Sequence, residues 1–210
     1  MNIAIPIFDR LTALDAVGPY EVLSRLPRAK VHFIAEDPGP KRTETRMLAL
    51  TADEALNDLP DPEVIVVPGG YGTRELMHDE TMLAWLRNAH ATSQWTTSVC
   101  TGSLLLAAAG ILDGIEATTH WLAMDILREY GAVPVSRRVV RQGKVMTAAG
   151  VSAGIDMALT LAAEIAGKEL AQAIQLGIEY DPEPPFAGGS PASAPPEIVT
   201  LVRDNAGQLA

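Results

Sequence analysis

The chain has 210 residues, of which 48% are hydrophobic and 20% charged, and its formal net charge is −10. This length and composition are typical of one globular domain with a full core rather than of a disordered chain. No cluster of Lys and Arg exceeds two neighbouring residues, as at Arg137 and Arg138, which is too few to form a phosphate-binding surface on such an acidic chain, so nucleic acid is not an expected partner.

Cysteine usage and hydropathy indicate the cellular setting. Cys100 is the single cysteine of the chain, so an intrachain disulfide cannot form. The longest apolar run, residues 104–112, is far shorter than the roughly 20 residues that cross a bilayer. The N-terminus has no basic flank followed by a signal-like apolar stretch. We therefore expect a soluble, cytoplasmic protein with a free thiol and no membrane association.

The first part of the sequence alternates between β-branched runs and amphipathic or apolar stretches. These patterns predict strands over residues 2–8, 31–35, 63–68 and 94–99, and helices over residues 19–26, 79–91 and 104–109. Residues 63–68 are apolar almost throughout, as in a strand buried on both faces of a parallel sheet. Pro6 conflicts with a central position for the first strand, because proline cannot donate a ladder hydrogen bond.

The remaining sequence predicts a hairpin of strands 139–141 and 145–148, an apolar central helix over 153–166, and a helix from residue 196 to about Gln208. Residues 182–191 are rich in proline and glycine and are expected to be irregular. No repeat or linker is apparent, so one domain over residues 1–210 is expected. The alternation of elements predicts an α/β fold with a mainly parallel, doubly wound sheet and ligands at the carboxyl ends of its strands.

Cys100 lies in the sequence VCTGS, between a predicted strand and a predicted helix. Such a turn holds a nucleophile with its side chain above the sheet, and the small Gly102 and Ser103 permit the crowding. The start of the helix would lower the pKa of the thiol from about 8.5 toward neutrality or below. A lone cysteine after an apolar strand can also be a small buried hydrophobic residue. The strand, turn and helix context favours the nucleophile.

Two further segments are expected at the same edge of the sheet. PGGYG follows strand 63–68, where the N–H groups of Gly70 and Thr101 could form an anion-stabilising pair, although an ordinary turn explains the glycines equally well. Asp15, in LDAVGP, precedes a helix near the end of the first strand and would share the edge with Cys100. Capping of that helix is the alternative role for Asp15.

His120 lies in a polar and aromatic cluster, TTHW at residues 118–121. A catalytic role and a structural role with a hydrogen bond to the backbone are both open. The four histidines and one cysteine do not have the spacing of a zinc site, so no metal is expected.

Together these motifs resemble the ThiJ/PfpI superfamily and, within it, the isocyanide hydratases. The resemblance rests on LDAVGP at residues 14–19, PGG at 68–70, SVCTGS at 98–103 and ATTHW at 117–121. AGVSAGID at residues 149–156 and EYDPEPPF at residues 179–186 extend it to nearly the whole chain.

The resemblance implies a flavodoxin-like three-layer sandwich, related to class I glutamine amidotransferases, that forms a homodimer and needs no cofactor. It implies hydration of isocyanides to N-formamides through a covalent cysteine thioimidate. Cys100 would be the nucleophile, Asp15 the proton donor and later the base that activates water, and Thr101 a hydroxyl that tunes the thiolate. Gly70 would supply a backbone N–H. Other candidates for the pocket or its supports are Gly69, His120, Trp121 and Gly150.

Other functions remain open. A glyoxalase-like or small-carbonyl detoxifying enzyme also needs an elbow thiolate. However, the peptidase-like and glyoxalase-like branches have a histidine after the cysteine and commonly a glutamate as acidic partner, where this chain has Thr101 and Asp15. A non-enzymatic redox sensor or effector-binding protein is a further alternative, since an exposed thiol of low pKa oxidises readily. Regulators with these motifs carry a helix-turn-helix domain behind them, and we do not expect one in a chain this short and acidic.

Overall fold

A computed structural model describes residues 1–206 of the protein. The chain forms two compact units, one spanning Met1–Ile178 and one beginning at Glu179. The single domain expected over residues 1–210 stays a prediction, because compactness does not tell whether the two units fold independently.

The first unit is built around a mainly parallel sheet. Its strands are β1 (Asn2–Pro6), β2 (Lys30–Ala35), β3 (Gly39–Arg42), β4 (Ala49–Ala52), β5 (Glu54–Ala55), β6 (Val64–Val67), β7 (Trp95–Val99), β8 (Glu116–Ala117), β9 (Val133–Pro134), β10 (Val139–Gln142) and β11 (Val145–Ala148). Seven of them form the central sheet in the order β10-β11-β7-β6-β1-β2-β5. All neighbours in it are parallel except β10 and β11, which form the predicted antiparallel hairpin.

Helices flank this sheet. They are α1 (Ala13–Leu23), α2 (Thr73–Leu76), α3 (Glu80–Thr92), α4 (Gly102–Ala108), α5 (Met124–Glu129), α6 (Ala153–Ala166) and α7 (Lys168–Gly177). The α6 helix packs against α1 and α7 and has the bounds that the sequence predicts. All four residues of β6 are fully buried, as expected of a parallel strand covered on both faces. The flavodoxin-like α/β architecture is therefore confirmed.

The sheet order brings the candidate motifs together. Strands β1, β6 and β7 are neighbours, and their carboxyl ends lead to Asp15, Gly69 and Cys100 respectively. A β-bridge between Leu11 and Gly70 ties the first two of these connections to each other. The three segments thus meet at the sheet edge where α/β proteins bind ligands.

The first helix differs from its prediction. The structure begins α1 at Ala13 rather than at Pro19, which lies inside the helix and is buried. A proline usually marks the first turn of a helix because it lacks an N–H, and here it does not. As a result Asp15 lies in the first turn of α1, while Thr12 occupies the N-cap position. The capping role for Asp15 is therefore wrong.

Pro6 does not exclude a central strand. It is the last residue of β1, which pairs with β6 only through Ile3 and Ala4. The missing N–H therefore falls beyond the part of the strand that is hydrogen-bonded on both sides.

The second unit is described as far as residue 206. Residues 182–191 contain no helix or strand, as the proline and glycine content predicted, and α8 spans Pro196–Asp204. The predicted end of this helix, near Gln208, lies outside the described residues. Across residues 1–206, no helix is both long and apolar enough to pass through a membrane.

Candidate active site

Cys100 occupies the sharp turn between β7 and α4. Its φ of 55° lies in the left-handed region, which costs a non-glycine residue about 1–3 kcal/mol. Neighbouring groups hold this conformation on both sides: the Cys100 N–H donates to the Ala149 carbonyl at 3.0 Å, and its own carbonyl accepts from Thr119 Oγ1 at 3.0 Å and Ser103 Oγ at 3.1 Å. The strand, turn and helix geometry predicted for Cys100 is confirmed.

Gly102 explains how the turn fits against the sheet. A Cβ added at this residue would overlap the backbone carbonyl oxygen of Val67, at the end of β6. The expectation that small residues after Cys100 permit the crowding is thus met at Gly102.

Asp15 is fully buried beside the cysteine. Its Oδ2 accepts a hydrogen bond from the Gly69 N–H at 2.9 Å. Its Oδ1 is also buried and has no hydrogen-bond partner within residues 1–206. The carboxyl group is close enough to the Cys100 thiol for each group to affect the pKa of the other. A buried carboxyl with one unused oxygen is thus placed against the only sulfur nucleophile of the chain.

Thr101 is bound to the glycine turn after β6. The Gly70 N–H donates to Thr101 Oγ1 at 2.9 Å, and the Thr73 hydroxyl donates to the Gly70 carbonyl at 2.7 Å while lying 3.2 Å from Thr101 Oγ1. The Gly70 N–H is therefore engaged by a protein hydroxyl. Its anion-stabilising role stays a prediction, and what it does in the structure is to fix Thr101.

Burial controls the ionisation of Asp15 and Cys100. It raises the pKa of the Asp15 carboxyl from 3.8 to about 7, against the lowering effect of the Gly69 N–H and the thiol. Burial also raises the pKa of the Cys100 thiol, and the charge of Asp15 raises it further. This direction is opposite to the expected lowering, because the desolvation of a nearly buried sulfur outweighs the nearby backbone dipoles.

Two backbone N–H groups favour the thiolate. The N–H groups of Val151 and Thr101 hydrogen-bond to Cys100 and oppose the rise in its pKa. The sequence motifs indicate Thr101 but not Val151 as a site residue. Val151 lies in the AGVSAG segment and adopts a φ of 29°, which is rare for a β-branched residue and becomes visible only in the structure. Backbone strain of this kind clusters at functional sites.

His120 shows the structural arrangement that the sequence left open. Its Nδ1 accepts from the Leu122 N–H at 3.4 Å, and its ring covers Gly150, where an added Cβ would lie 2.7 Å from the ring Cδ2. The Trp121 ring centroid is 6.0 Å from that of His120. Burial lowers the pKa of His120, and the charge of Arg74 lowers it further. The imidazole is therefore neutral at physiological pH.

Arg74, on α2, is a second site residue that the sequence motifs do not indicate. Its guanidinium is partly buried and within electrostatic range of both Cys100 and His120. Within residues 1–206, no three His, Cys, Asp or Glu side chains are placed to hold a metal ion.

Sequence comparison relates the chain to known proteins. The sequence profile of the DJ-1/PfpI family matches residues 1–164. An isonitrile hydratase of Pseudomonas putida is 46% identical over 206 residues, covering 98% of this chain and 90% of the relative. The transcriptional regulator CdhR of Pseudomonas aeruginosa is 31% identical over 171 residues, and this chain spans 50% of its length.

Solved structures show the same fold. A ThiJ/PfpI family protein from Pseudomonas syringae superposes with a TM-score of 0.95 at 36% identity, covering 99% of this chain and 86% of that one. Drosophila melanogaster DJ-1beta shares the fold at 21% identity, with a TM-score of 0.77 over 85% of this chain and 97% of its own. The resemblance drawn from the sequence motifs is confirmed: the chain belongs to the DJ-1/PfpI family.

Proposed function

We propose that the protein hydrates isocyanides to N-formamides, with Cys100 as the nucleophile and Asp15 as the proton carrier. The observation that carries the proposal is the buried Asp15 carboxyl, which has one oxygen without a hydrogen-bond partner within residues 1–206 and is electrostatically coupled to Cys100, the only cysteine of the chain. The isonitrile hydratase that is 46% identical over nearly the whole chain supports the substrate class.

The chemistry of the substrate calls for this pair. The terminal carbon of an isocyanide must receive both a nucleophile and a proton. In the first step the Cys100 sulfur bonds to that carbon, and Asp15 gives the same carbon its proton, which yields the thioimidate S–CH=N–R. In the second step water adds to this carbon, and Asp15 takes a proton from the water and passes it to nitrogen. When the C–S bond breaks, the hydroxyl proton returns to Asp15, the electron pair returns to sulfur, and the N-formamide leaves.

Asp15 and Cys100 begin and end this cycle with one proton between them. Two like charges in contact inside a buried site repel, so only one of the two groups ionises near neutral pH. The form with the proton on Asp15 and the charge on sulfur has the same net charge as the reverse form. The Val151 and Thr101 N–H groups stabilise the first form because they donate to the sulfur. The reaction is redox-neutral and needs no cofactor.

The exposure of the nucleophile also suits an isocyanide. Only 5% of the Cys100 surface is accessible. An isocyano group is linear and ends in the reacting carbon, so it reaches a recessed sulfur more easily than a branched carbonyl or a peptide does.

The proposal is tested by incubating the purified protein separately with an aryl isocyanide, with methylglyoxal and with a peptide. The products measured are formamide, lactate and cleaved peptide, respectively. We expect formamide alone, and none of the three products from Cys100→Ala. Lactate without formamide would assign the glyoxalase-like activity instead. No product at all, with mass spectrometry showing a sulfinic acid at Cys100 after mild peroxide, would favour the redox sensor.

A further inference from the structure

Arg74 carries a positive charge that the reaction above does not use. Its Nη1 donates to the Thr73 hydroxyl at 3.3 Å, and within residues 1–206 it has no ion pair with any carboxylate. A guanidinium has five N–H donors, and partial burial of its charge is unfavourable unless an acceptor satisfies them. The rest of the protein therefore satisfies only part of the hydrogen-bonding capacity of the Arg74 guanidinium.

Arg74 lies close to the reaction centre, where its free N–H donors could bind a ligand. Thr73, which accepts its hydrogen bond, lies 3.2 Å from Thr101 Oγ1, and Thr101 directly follows Cys100. The guanidinium is also within electrostatic range of the Cys100 thiol. Asp15 and Glu44 interact with each other electrostatically near the reaction centre, and within the described residues neither of them forms an ion pair with Arg74.

We propose that Arg74 binds an anionic group of the substrate, and that the preferred substrates are isocyanides bearing a carboxylate. The planar guanidinium matches a carboxylate with two parallel hydrogen bonds. The chain has a net charge of −10 and repels anions as a whole, so a carboxylate enters the site only where a local cation attracts it. The isocyanide part of this inference rests on the proposed function, whereas the anion-binding part rests on the position of Arg74 in the structure.

A matched pair of substrates tests the preference. Isocyanoacetate and its methyl ester have the same reacting group and differ in charge. We expect kcat/KM to be higher for isocyanoacetate, and Arg74→Gln to lower the ratio of the two kcat/KM values at least about tenfold, as for loss of a charged hydrogen bond. Arg74→Lys should keep part of the ratio because it keeps the charge. Arg128→Gln is the control: Arg128 is exposed and pairs with Asp125, so the ratio should not change.

A second measurement does not depend on isocyanide turnover. Iodoacetate and iodoacetamide both alkylate a thiolate, and Cys100 is the only cysteine. Dividing the two alkylation rates cancels any change in the pKa of the thiol. We expect Arg74→Gln to lower the ratio of iodoacetate to iodoacetamide rates at least about tenfold.

The two measurements separate the possible failures. If no isocyanide is hydrated but the alkylation ratio falls, the proposed function is wrong and the anion site stands. If isocyanides are hydrated and neither ratio changes in Arg74→Gln, the anion site is overturned. Equal losses for both isocyanides would likewise overturn it, since Arg74 would then act on the thiolate alone.

Discussion

Asp15 and Cys100 lose their protons as a coupled pair. Burial raises the pKa of both groups, that of Asp15 to about 7 and that of the thiol in the same direction. Below about pH 7 the pair holds two protons, and the sulfur is a neutral thiol. Above it the pair holds one proton, and the reactive form with a thiolate and a protonated Asp15 becomes available. Activity that requires this form therefore rises with pH through about 7.

Variants of Asp15 test whether its proton stabilises the thiolate. Asp15→Ala removes the proton donor to the sulfur, so the apparent pKa of Cys100 should rise above its wild-type value. Asp15→Asn keeps a donor and should preserve much of the thiolate, although both variants should lose hydration activity because neither can transfer the proton. Ultraviolet absorbance of the thiolate, titrated against pH with Cys100→Ala as the blank, measures the pKa. A lower pKa in Asp15→Ala would mean that Asp15 is only a repelling charge.

The sequence predicts the site residues that stand at fixed places relative to strand ends. Cys100 and Asp15 were found because the carboxyl ends of neighbouring parallel strands share one edge. Val151 and Arg74 were missed because their proximity to Cys100 arises from packing between distant segments. The pKa of the thiol was predicted in the wrong direction because the sequence shows where the helix starts but not how deeply the sulfur is buried.

At the scale of elements, the site depends on close approach between the end of β6 and the turn after β7. A Cβ added to Gly69 would lie 2.5 Å from the Thr101 nitrogen and 2.9 Å from Asp15 Oδ2. These contacts involve backbone and a fully buried carboxyl, so they cannot be relieved by rotating a flexible side chain. A larger residue at Gly69 must push Asp15 and Thr101 apart.

Gly69→Ala should therefore lower the free energy of unfolding by roughly 1–3 kcal/mol and abolish hydration. Gly177→Ala is the matched control: Gly177 ends α7, nothing lies within 4 Å of its added Cβ, and alanine favours helix, so stability should stay level or rise slightly. Urea denaturation of both variants gives the two free energies. A Gly69→Ala protein with unchanged stability and activity would show that the two segments are not tightly apposed.

Sequence periodicity was informative where a helix is strongly apolar and less so elsewhere. The bounds of α6 follow from its apolar residues, whereas α7 was not predicted because its polar residues hide two buried positions, Ala171 and Ile174. The start of α1 was misplaced because Pro19, a usual helix start, lies within the helix.

At the scale of the whole molecule, association of two chains remains a prediction. The resemblance implies a homodimer, and an apolar helix such as α6 would support one if its apolar face were exposed. In the structure, however, the apolar face of α6 is buried within its own unit, so it no longer argues for association. Sedimentation at micromolar concentration should give twice the 22.3 kDa chain mass. A sharp monomer would remove the homodimer.

The mass of the enzyme during turnover shows whether Cys100 forms a covalent intermediate. Protein quenched while it hydrates an aryl isocyanide should include a species heavier by one whole isocyanide molecule, as expected when a thiol adds across its carbon without a leaving group. Proteolysis should locate the added mass on the peptide that contains Cys100, and Cys100→Ala should show neither the adduct nor formamide. Formamide production by Cys100→Ala at the wild-type rate, or an adduct on another residue, would contradict covalent catalysis by Cys100.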